Sequence, residues 1–483
     1  VDLDRQTLAR GQDVLRAEGI ARDRVLERLG GANILSQSEI TAAYSEPVPF
    51  ARKPFPALAP HLTDLALAEN PVAPRHALTL DRPLQQSVES LSKDSLRTLP
   101  DGVSVALVIA DHRSGEILAS VGSASYASGD GRQGYVDMTR AIRSPGSLLK
   151  PVIYGLAFDR GLAHPETIIH DGPVRFGQYA PQNFDGQFRG DIRLREALQQ
   201  SLNIPVVKLT EALGPARVVA ALKRAGAQVR IPGGRPGLAI SLGGLGMSLR
   251  DLVQLYAALA NGGTGPLLRE AQAAPRAMGG RVTSPEAAWQ VGNILAGLAP
   301  PPGAPAGVLA YKTGTSYGHR DAWAIGYDGA HVIGVWMGRP DGTPVPGAFG
   351  GSLAAPVLFE AFGRLKPGFD RLPPPPPSTL IVSGADLPVP LRRFEARGAV
   401  AEASPPELAF PPDGARVLVE PGAPLTLRLR GGTEPFSVLA NGAPVARGVR
   451  AREIDIGVPG PGFSTLVVID GTGRSDRVTI RLD

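Results

Sequence analysis

The 483-residue chain has no cysteine, which excludes disulfide bridges, thiolate-bound metals and a cysteine nucleophile. Histidine is scarce, with seven residues and neither an H-E-x-x-H motif nor a close pair, so no metal site is expected. No uninterrupted apolar run reaches the ~18 residues that a membrane-crossing helix needs. The chain opens Val1-Asp2-Leu3-Asp4, with neither Met nor a secretion leader, as a processed or cut chain does; a membrane anchor is expected upstream. Aromatic residues make up only 5% and do not interleave with basic runs, which argues against a nucleic-acid partner despite a net charge of +5. That charge, with a pI near 9.5, is read mainly as solubility, with attraction to anionic polymers or a membrane surface.

What is abundant is glycine (59) and proline (47), the residues of turns and loops. A hydrophobic content of 43% with 20% charged residues is that of a globular protein, and the length predicts two or three domains. Residues 1 to about 45 carry helical periodicity in Leu8, Val14 and Leu15, then Val25, Leu26 and Leu29. Ser36-Gln37-Ser38-Glu39 has the form of a capping box. Proline is frequent from Pro47 to Pro74, so 1–76 reads as a helical segment with a linker.

From Ala77 the pattern becomes a short strand, then a helix capped by Asp81 with Pro83 in its first turn. Val103–Ala110 is a continuous apolar run, and with Glu116–Gly122 it predicts a hairpin whose first strand is buried. The stretch 190–262 is mostly helical, including a helix over Ser248–Ala260 that ends at Asn261-Gly262-Gly263. Three strands are expected at Tyr311–Ser316, Asp321–Asp328 and His331–Gly338. Residues 77–368 therefore form an α+β domain, an antiparallel sheet with a helical cluster. Five prolines, 373–377, mark a stiff spacer within a linker at 369–400. Beyond it, alternation at Leu425, Leu427 and Leu429 and a turn at Asn441-Gly442 predict a small all-β immunoglobulin-like sandwich over 401–483.

Chemistry concentrates at three places. Ser144-Pro145-Gly146 is a helix-start signal, and Ser147 and Lys150 follow on one helical face at the head of an apolar run from Leu148 to Phe158. A serine hydroxyl needs a base within reach, and a lysine serves as one when burial and positive potential lower its pKa. Taken alone, S-x-x-K is common by chance and more often marks a capping serine followed by a surface lysine. Ser201-Leu202-Asn203 and Lys312-Thr313-Gly314-Thr315-Ser316 come next, in the order S-x-x-K, S-x-N, K-T-G. Leu202 stands where that pattern has Asp. Gly314-Thr315-Ser316-Tyr317-Gly318 also spells G-x-S-x-G, but a strand follows where a nucleophile elbow needs a helix. Gly243-Gly244-Leu245-Gly246 has no phosphate-loop frame and reads as a turn.

These motifs resemble those of the class A penicillin-binding proteins. Arg143–Pro151, Lys312–Gly318, Asp321-Ala322-Trp323-Ala324-Ile325-Gly326 and Gly338-Arg339-Pro340-Asp341-Gly342 carry the resemblance, which covers about 77–368 well. It implies a serine β-lactamase/penicillin-binding transpeptidase-like fold and a D,D-transpeptidase that crosslinks peptidoglycan stem peptides and is acylated by β-lactams. Ser147 would be the nucleophile, Lys150 its base, Ser201 a proton relay, and Asn203 a holder of Lys150 and of the substrate amide. Lys312 would face the substrate carboxylate with the Thr313 and Thr315 hydroxyls, and Gly314 would leave room for substrate along the strand. The backbone N–H groups of Ser147 and Thr315 would form the oxyanion hole. No cofactor is implied. Residues 1–76 resemble the tail of a glycosyltransferase region whose core is missing here, and the expected location is the periplasmic face of the inner membrane. Residues 401–483 are expected to bind cell-wall material or proteins of the divisome or elongasome. Two readings share the motifs: a D,D-carboxypeptidase or β-lactamase-like hydrolase, and a β-lactam-binding scaffold without turnover.

Overall fold

The computed structural model of the protein describes residues 19–46, 58–97, 99–127, 131–394, 400–401, 405–419 and 422–483. The chain divides into two units, 1–60 and 61–483. In the first, residues 19–31 are helical, and Ser36 caps a helix at Gln37–Ser45 through reciprocal bonds with Glu39. The periodicity at Leu8, Val14 and Leu15 lies outside the described residues.

The second unit begins with residues that the sequence assigns to the linker. His61 is buried, with Nε2 2.7 Å from the Gly134 carbonyl. The strand expected at 77–80 is reduced to a single bridge between Leu78 and Ala271. Asp81 accepts a bond from Leu84 N–H and so caps α1 (Arg82–Asp94). Strands β1 (Ser104–Asp111) and β2 (Ile117–Val121) form the predicted hairpin.

A 3₁₀ turn at Gly146–Leu149 leads into α2 (Lys150–Asp159), which is buried from Lys150 to Phe158. Next come β3 (Ile168–Asp171), β4 (Gly190–Arg193), α3 (Leu194–Gln199) and α4 (Asn203–Leu213). Helix α5 (Leu249–Ala260) is capped by Ser248, and α6 (Pro285–Ala296) by Ser284. Strands β5 (Ala310–Thr315), β6 (Asp321–Tyr327) and β7 (His331–Gly338) precede α7 (Ala355–Leu365). The main sheet has the order β2-β1-β7-β6-β5 and is antiparallel throughout. Among the described residues strand β5 is an edge.

Both faces of this sheet are covered. Ala106, Val108, Trp323, Ile325 and Trp336 pack with α2, α4, α5 and α6 in one core. Val105, Leu107, Ala324, Val335 and Met337 face the other way, against α1 and α7. Burial on both sides is why β1 reads as an unbroken apolar run rather than an alternation. The larger of these side chains, such as Val108, Ile325, Leu107 and Met337, each contribute about 1.5–3 kcal/mol once buried.

Residues 372–394 run along the helical side of this domain and are not a free spacer. Trp289 Nε1 donates to the Pro373 carbonyl at 3.2 Å, and Thr167 Oγ1 to the Leu391 carbonyl at 2.6 Å. Leu387 is buried, and Arg393–Phe394 (β8) pairs in parallel with β3, giving a small sheet of order β4-β3-β8. Val400–Ala401 pairs with Val174–Arg175.

The C-terminal residues form two packed sheets. One holds β9 (Glu407–Phe410), β11 (Leu425–Arg430) and β14 (Glu453–Ile456); the other has β10 (Arg416–Val417), β12 (Phe436–Ala440), β13 (Ala443–Val449), β15 (Gly462–Ile469) and β16 (Ser475–Leu482). Leu427, Phe436, Val438, Leu466 and Ile480 fill the core between them, which makes a sandwich with its own interior. The turn between β12 and β13 places Asn441 and Gly442 at φ 51° and 82°, the two-residue hairpin geometry that this dipeptide favours.

Candidate active site

Ser147 lies in the 3₁₀ turn, and that turn is clamped from several sides. Arg143 and Met247 exchange backbone hydrogen bonds of 2.9 Å, and Ser144 Oγ donates to the Gly243 carbonyl at 2.8 Å. The glycine-rich segment 243–246 is therefore a structural turn that braces the serine. Trp323 Nε1 donates to the Ser144 carbonyl at 3.1 Å, and Tyr256 Oη to the Leu148 carbonyl at 2.9 Å. Gly146, at φ 52°, brings the turn onto β5: a Cβ there would stand 2.5 Å from the Thr315 carbonyl oxygen.

Lys150 is fully buried at the start of α2. Its Nζ donates to Asn203 Oδ1 at 2.7 Å, lies 3.4 Å from Ser201 Oγ and also donates to the Ser201 carbonyl. Among the described residues no hydrogen bond joins Lys150 to the Ser147 hydroxyl. Ser201 sits at φ 57°, a left-handed conformation rare for a side-chain-bearing residue, and this turns its carbonyl onto the amine. Burial pushes the Lys150 ammonium well below the ordinary lysine pKa, and the positive charge of Lys312 pushes it the same way.

Lys312 is also buried; its Nζ donates to the Thr313 carbonyl at 2.9 Å, and desolvation lowers its pKa to about 8. Along β5 the Ser316 N–H turns inward to the Asp321 carbonyl at 3.0 Å. By the alternation of an antiparallel ladder, the backbone groups of Thr315 and Thr313 then face the open edge. Gly314 departs from expectation. Its missing side chain makes room for Pro145 and Leu148, whose atoms would stand 2.9 Å from a Cβ, and the residue is buried behind the cleft. Thr313 and Thr315 reach the cleft itself. With Ser147, Ser201, Asn203, Gln182, Phe184 and Phe349 they line a cavity of about 910 Å³. The structure thus gathers all three motifs at one place, with the two lysines buried behind the wall.

The chain matches the family described as "Penicillin binding protein transpeptidase domain" over residues 105–361, more than half its length. This chain belongs to the penicillin-binding protein transpeptidase family. Residues 395–481 match the Penicillin-Binding Protein C-terminus Family. The chain is 40% identical over 374 residues to penicillin-binding protein 1C of Escherichia coli (strain K12), covering 76% of this chain and 48% of that protein. It is 32% identical over 290 residues to penicillin-binding protein 1B of Vibrio cholerae, covering 54% of this chain and 36% of that protein. The chain thus spans about half the length of the first relative, or less. The fold is similar to PonA1 of Mycobacterium tuberculosis solved with penicillin V, with TM-score 0.56, 21% identity, and coverage of 66% of this chain and all of that one. Penicillin-binding protein 1A of Haemophilus influenzae gives TM-score 0.57 at 17% identity, covering 75% of this chain and 78% of that one.

Within this transpeptidase fold several supporting residues carry no motif of their own. Asp321 is buried and accepts from Ser316 Oγ at 2.7 Å and Trp336 Nε1 at 2.9 Å, tying β5, β6 and β7 together beside the third motif. The only sequence signal was the Asp321-Ala322-Trp323 run. At the cleft mouth, Phe184 meets His319 and Phe349 edge to face, with centroids 5.9 and 6.0 Å away. Among the described residues three groups converge at metal-ligand spacing, Asp328, His331 and Asp370. The Lys366 ammonium pairs with both carboxylates and lies 2.9 Å from His331 Nδ1, so a cation already stands there. No helix among the described residues is long and apolar enough to cross a membrane.

Proposed function

We propose that this protein is a serine D,D-transpeptidase acting on D-Ala-D-Ala stem peptides of peptidoglycan, and that β-lactams acylate it at Ser147. The observation that carries the reading is Lys150: a lysine with no exposed surface, held by Asn203 and Ser201 one turn behind a serine that opens onto a large cleft. A depressed lysine pKa supplies a neutral amine, the form that can take a proton. The Ser147 oxygen attacks the carbonyl of the penultimate D-Ala, and its proton passes to Lys150. The C–N bond breaks, Ser201 relays a proton to the departing amine, and D-Ala leaves. The amine of a second stem peptide then attacks the ester, forming the new amide and returning a proton to Ser147. The N–H groups of Ser147 and Thr315 would hold the oxyanion.

The free edge of β5 suits a donor peptide that adds as a strand, with its carboxylate toward the Thr313 and Thr315 hydroxyls and the Lys312 charge behind them. The periplasmic face of the inner membrane is the compartment this substrate implies, and the C-terminal sandwich is a module for cell-wall or protein partners. The test is intact mass after benzylpenicillin, then incubation with a D-Ala-D-Ala peptide and an amine acceptor. One adduct at Ser147, lost in Ser147→Ala, and a crosslinked product are expected. An adduct at another serine refutes the nucleophile assignment. Free acid in place of crosslinked peptide would make the protein a carboxypeptidase-type hydrolase, and an adduct with no turnover would make it a scaffold.

A further inference from the structure

The middle motif departs from S-D-N at Leu202, and the structure gives that departure a consequence. Leu202 is the N-cap of α4, and no side chain of its own satisfies the N–H groups of the first turn. An Asp at an N-cap accepts from those donors, whereas Leu has nothing to offer them. Here the acceptor comes from elsewhere in the chain. Asn183 Oδ1 accepts from Asn203 N–H at 2.8 Å and lies 3.4 Å from Ile204 N. The neighbouring Gln182 carbonyl accepts from Asn203 Nδ2 at 2.8 Å. Residues 182–183 therefore hold Asn203 by both its backbone and its side chain. With Nδ2 committed to Gln182, the remaining oxygen of the Asn203 amide must face Lys150, where it stands 2.7 Å from Nζ.

Asn183 is fixed in turn. Its Nδ2 donates to both oxygens of Asp171, at 3.0 and 2.8 Å, and to the Gln187 carbonyl at 2.8 Å. Asp171 has no exposed surface and also accepts from Arg189 N–H at 2.8 Å. Although Asn183 lines the cleft, both its polar atoms are engaged within the protein, so it has none to spare for substrate. We propose that Asp171 and Asn183 form a positioning pair that fixes the Asn203 amide, and through it the Lys150 amine, in the role of the cap that Leu202 cannot provide. The inference rests on the reading of Lys150 as the base. Charged and titratable groups around the chain of contacts are Lys312 beside Lys150, and Lys208, Arg189 and the buried Tyr154 near Asp171.

The test follows the titration of Lys150 by NMR of protein labelled at lysine Cε, assigned with Lys150→Arg, alongside the pH profile of acylation by benzylpenicillin. Asn203 Oδ1 and the Ser201 carbonyl favour the ammonium, so loosening them lowers the Lys150 pKa. Asn183→Ala is expected to move the midpoint down by about one pH unit, the order of one charge-assisted hydrogen bond. It should also slow acylation about 10–100-fold through misplacement. Loss of stability alone would lower the folded fraction without moving the midpoint. Asp171→Asn is isosteric and lets the Asn183 amide turn over, so a smaller shift in the same direction is expected if Asn183→Ala does not fold. The exchange Asp171→Asn with Asn183→Asp restores a donor at 171 and an acceptor at 183 and should recover part of both effects. A folded Asn183→Ala or Asp171→Asn with an unmoved midpoint overturns the pair, as does an exchange no better than the single variants. Absence of any penicillin adduct on the unmodified protein would sink the transpeptidase reading instead, and the Lys150 midpoint would still decide the pair.

Discussion

Replacing Gly146 by alanine would add one methyl group at the contact between the Ser147 turn and β5. The new Cβ would stand 2.5 Å from the Thr315 carbonyl oxygen and 2.9 Å from its carbon, closer than the 3.0 Å below which such atoms essentially never approach. Both obstacles are backbone, so no side chain can rotate aside, and the turn must retreat by about half an ångström or more. The positive φ adds about 1–2 kcal/mol of strain, and overpacking of this kind costs about 1–3 kcal/mol. The retreat separates the N–H groups of Ser147 and Thr315, the proposed oxyanion donors. A misplacement of 1 Å costs ~100-fold, so acylation should fall about 10–100-fold. The assay is the second-order rate of benzylpenicillin acylation, read by mass, with thermal unfolding in parallel. Gly161→Ala is the comparison: Gly161 also has positive φ (63°), but no atom lies within 4 Å of its added Cβ. It should lose stability and keep its acylation rate. If Gly146→Ala acylates at the unmodified rate, or both variants slow equally, the close approach of the turn to β5 does not set the oxyanion geometry.

Two further outcomes follow from the same geometry. Lys312, with a pKa of about 8, is charged below that pH and loses its proton as pH rises through it, so acylation efficiency toward carboxylate-bearing β-lactams should decline above pH 8. Lys312→Arg keeps its charge and should abolish that alkaline limb; an identical limb in the variant would assign it to another group. A chain cut after Phe394 should stay folded and acylate at a rate close to that of the full chain. A cut after Lys366 strips β8 from β3 and the Leu391 carbonyl from Thr167, and should show a lower melting temperature and slower acylation. Equal behaviour of the two would make residues 367–394 a passive tether.

The fold was legible where periodicity or a cap fixed it. Val103–Gly122, the helix expected over Ser248–Ala260 and the Asn441-Gly442 turn all lie where local pattern put them, because each depends on neighbours in sequence. Ser147 stood out as the candidate nucleophile because three motifs share one order, and the structure brings those motifs to one cleft. Gly314 shows the limit of that reasoning: the motif implied open space, but which neighbour fills it is a matter of sheet packing. Asp171 and Asn183 were not legible, since they meet across an irregular stretch and serve a helix whose first residue is 20 positions from Asn183. The run of prolines suggested a stiff spacer, and the apolar residues around it, Leu372, Leu387 and Phe394, carried the contrary signal of a segment with something to bury.

That segment has a mechanical meaning. A slack tether transmits no load until it is drawn taut, whereas a strand zipped into a sheet passes tension on at once. From the C-terminal sandwich the chain meets the transpeptidase domain first at Val400–Ala401, paired with Val174–Arg175, and then at β8, which is hydrogen-bonded to β3, the strand that ends at Asp171. A pull on the sandwich therefore arrives first at Val174–Arg175 and next at β3, whose end at Asp171 leads through Asn183 and Asn203 to Lys150, the proposed base.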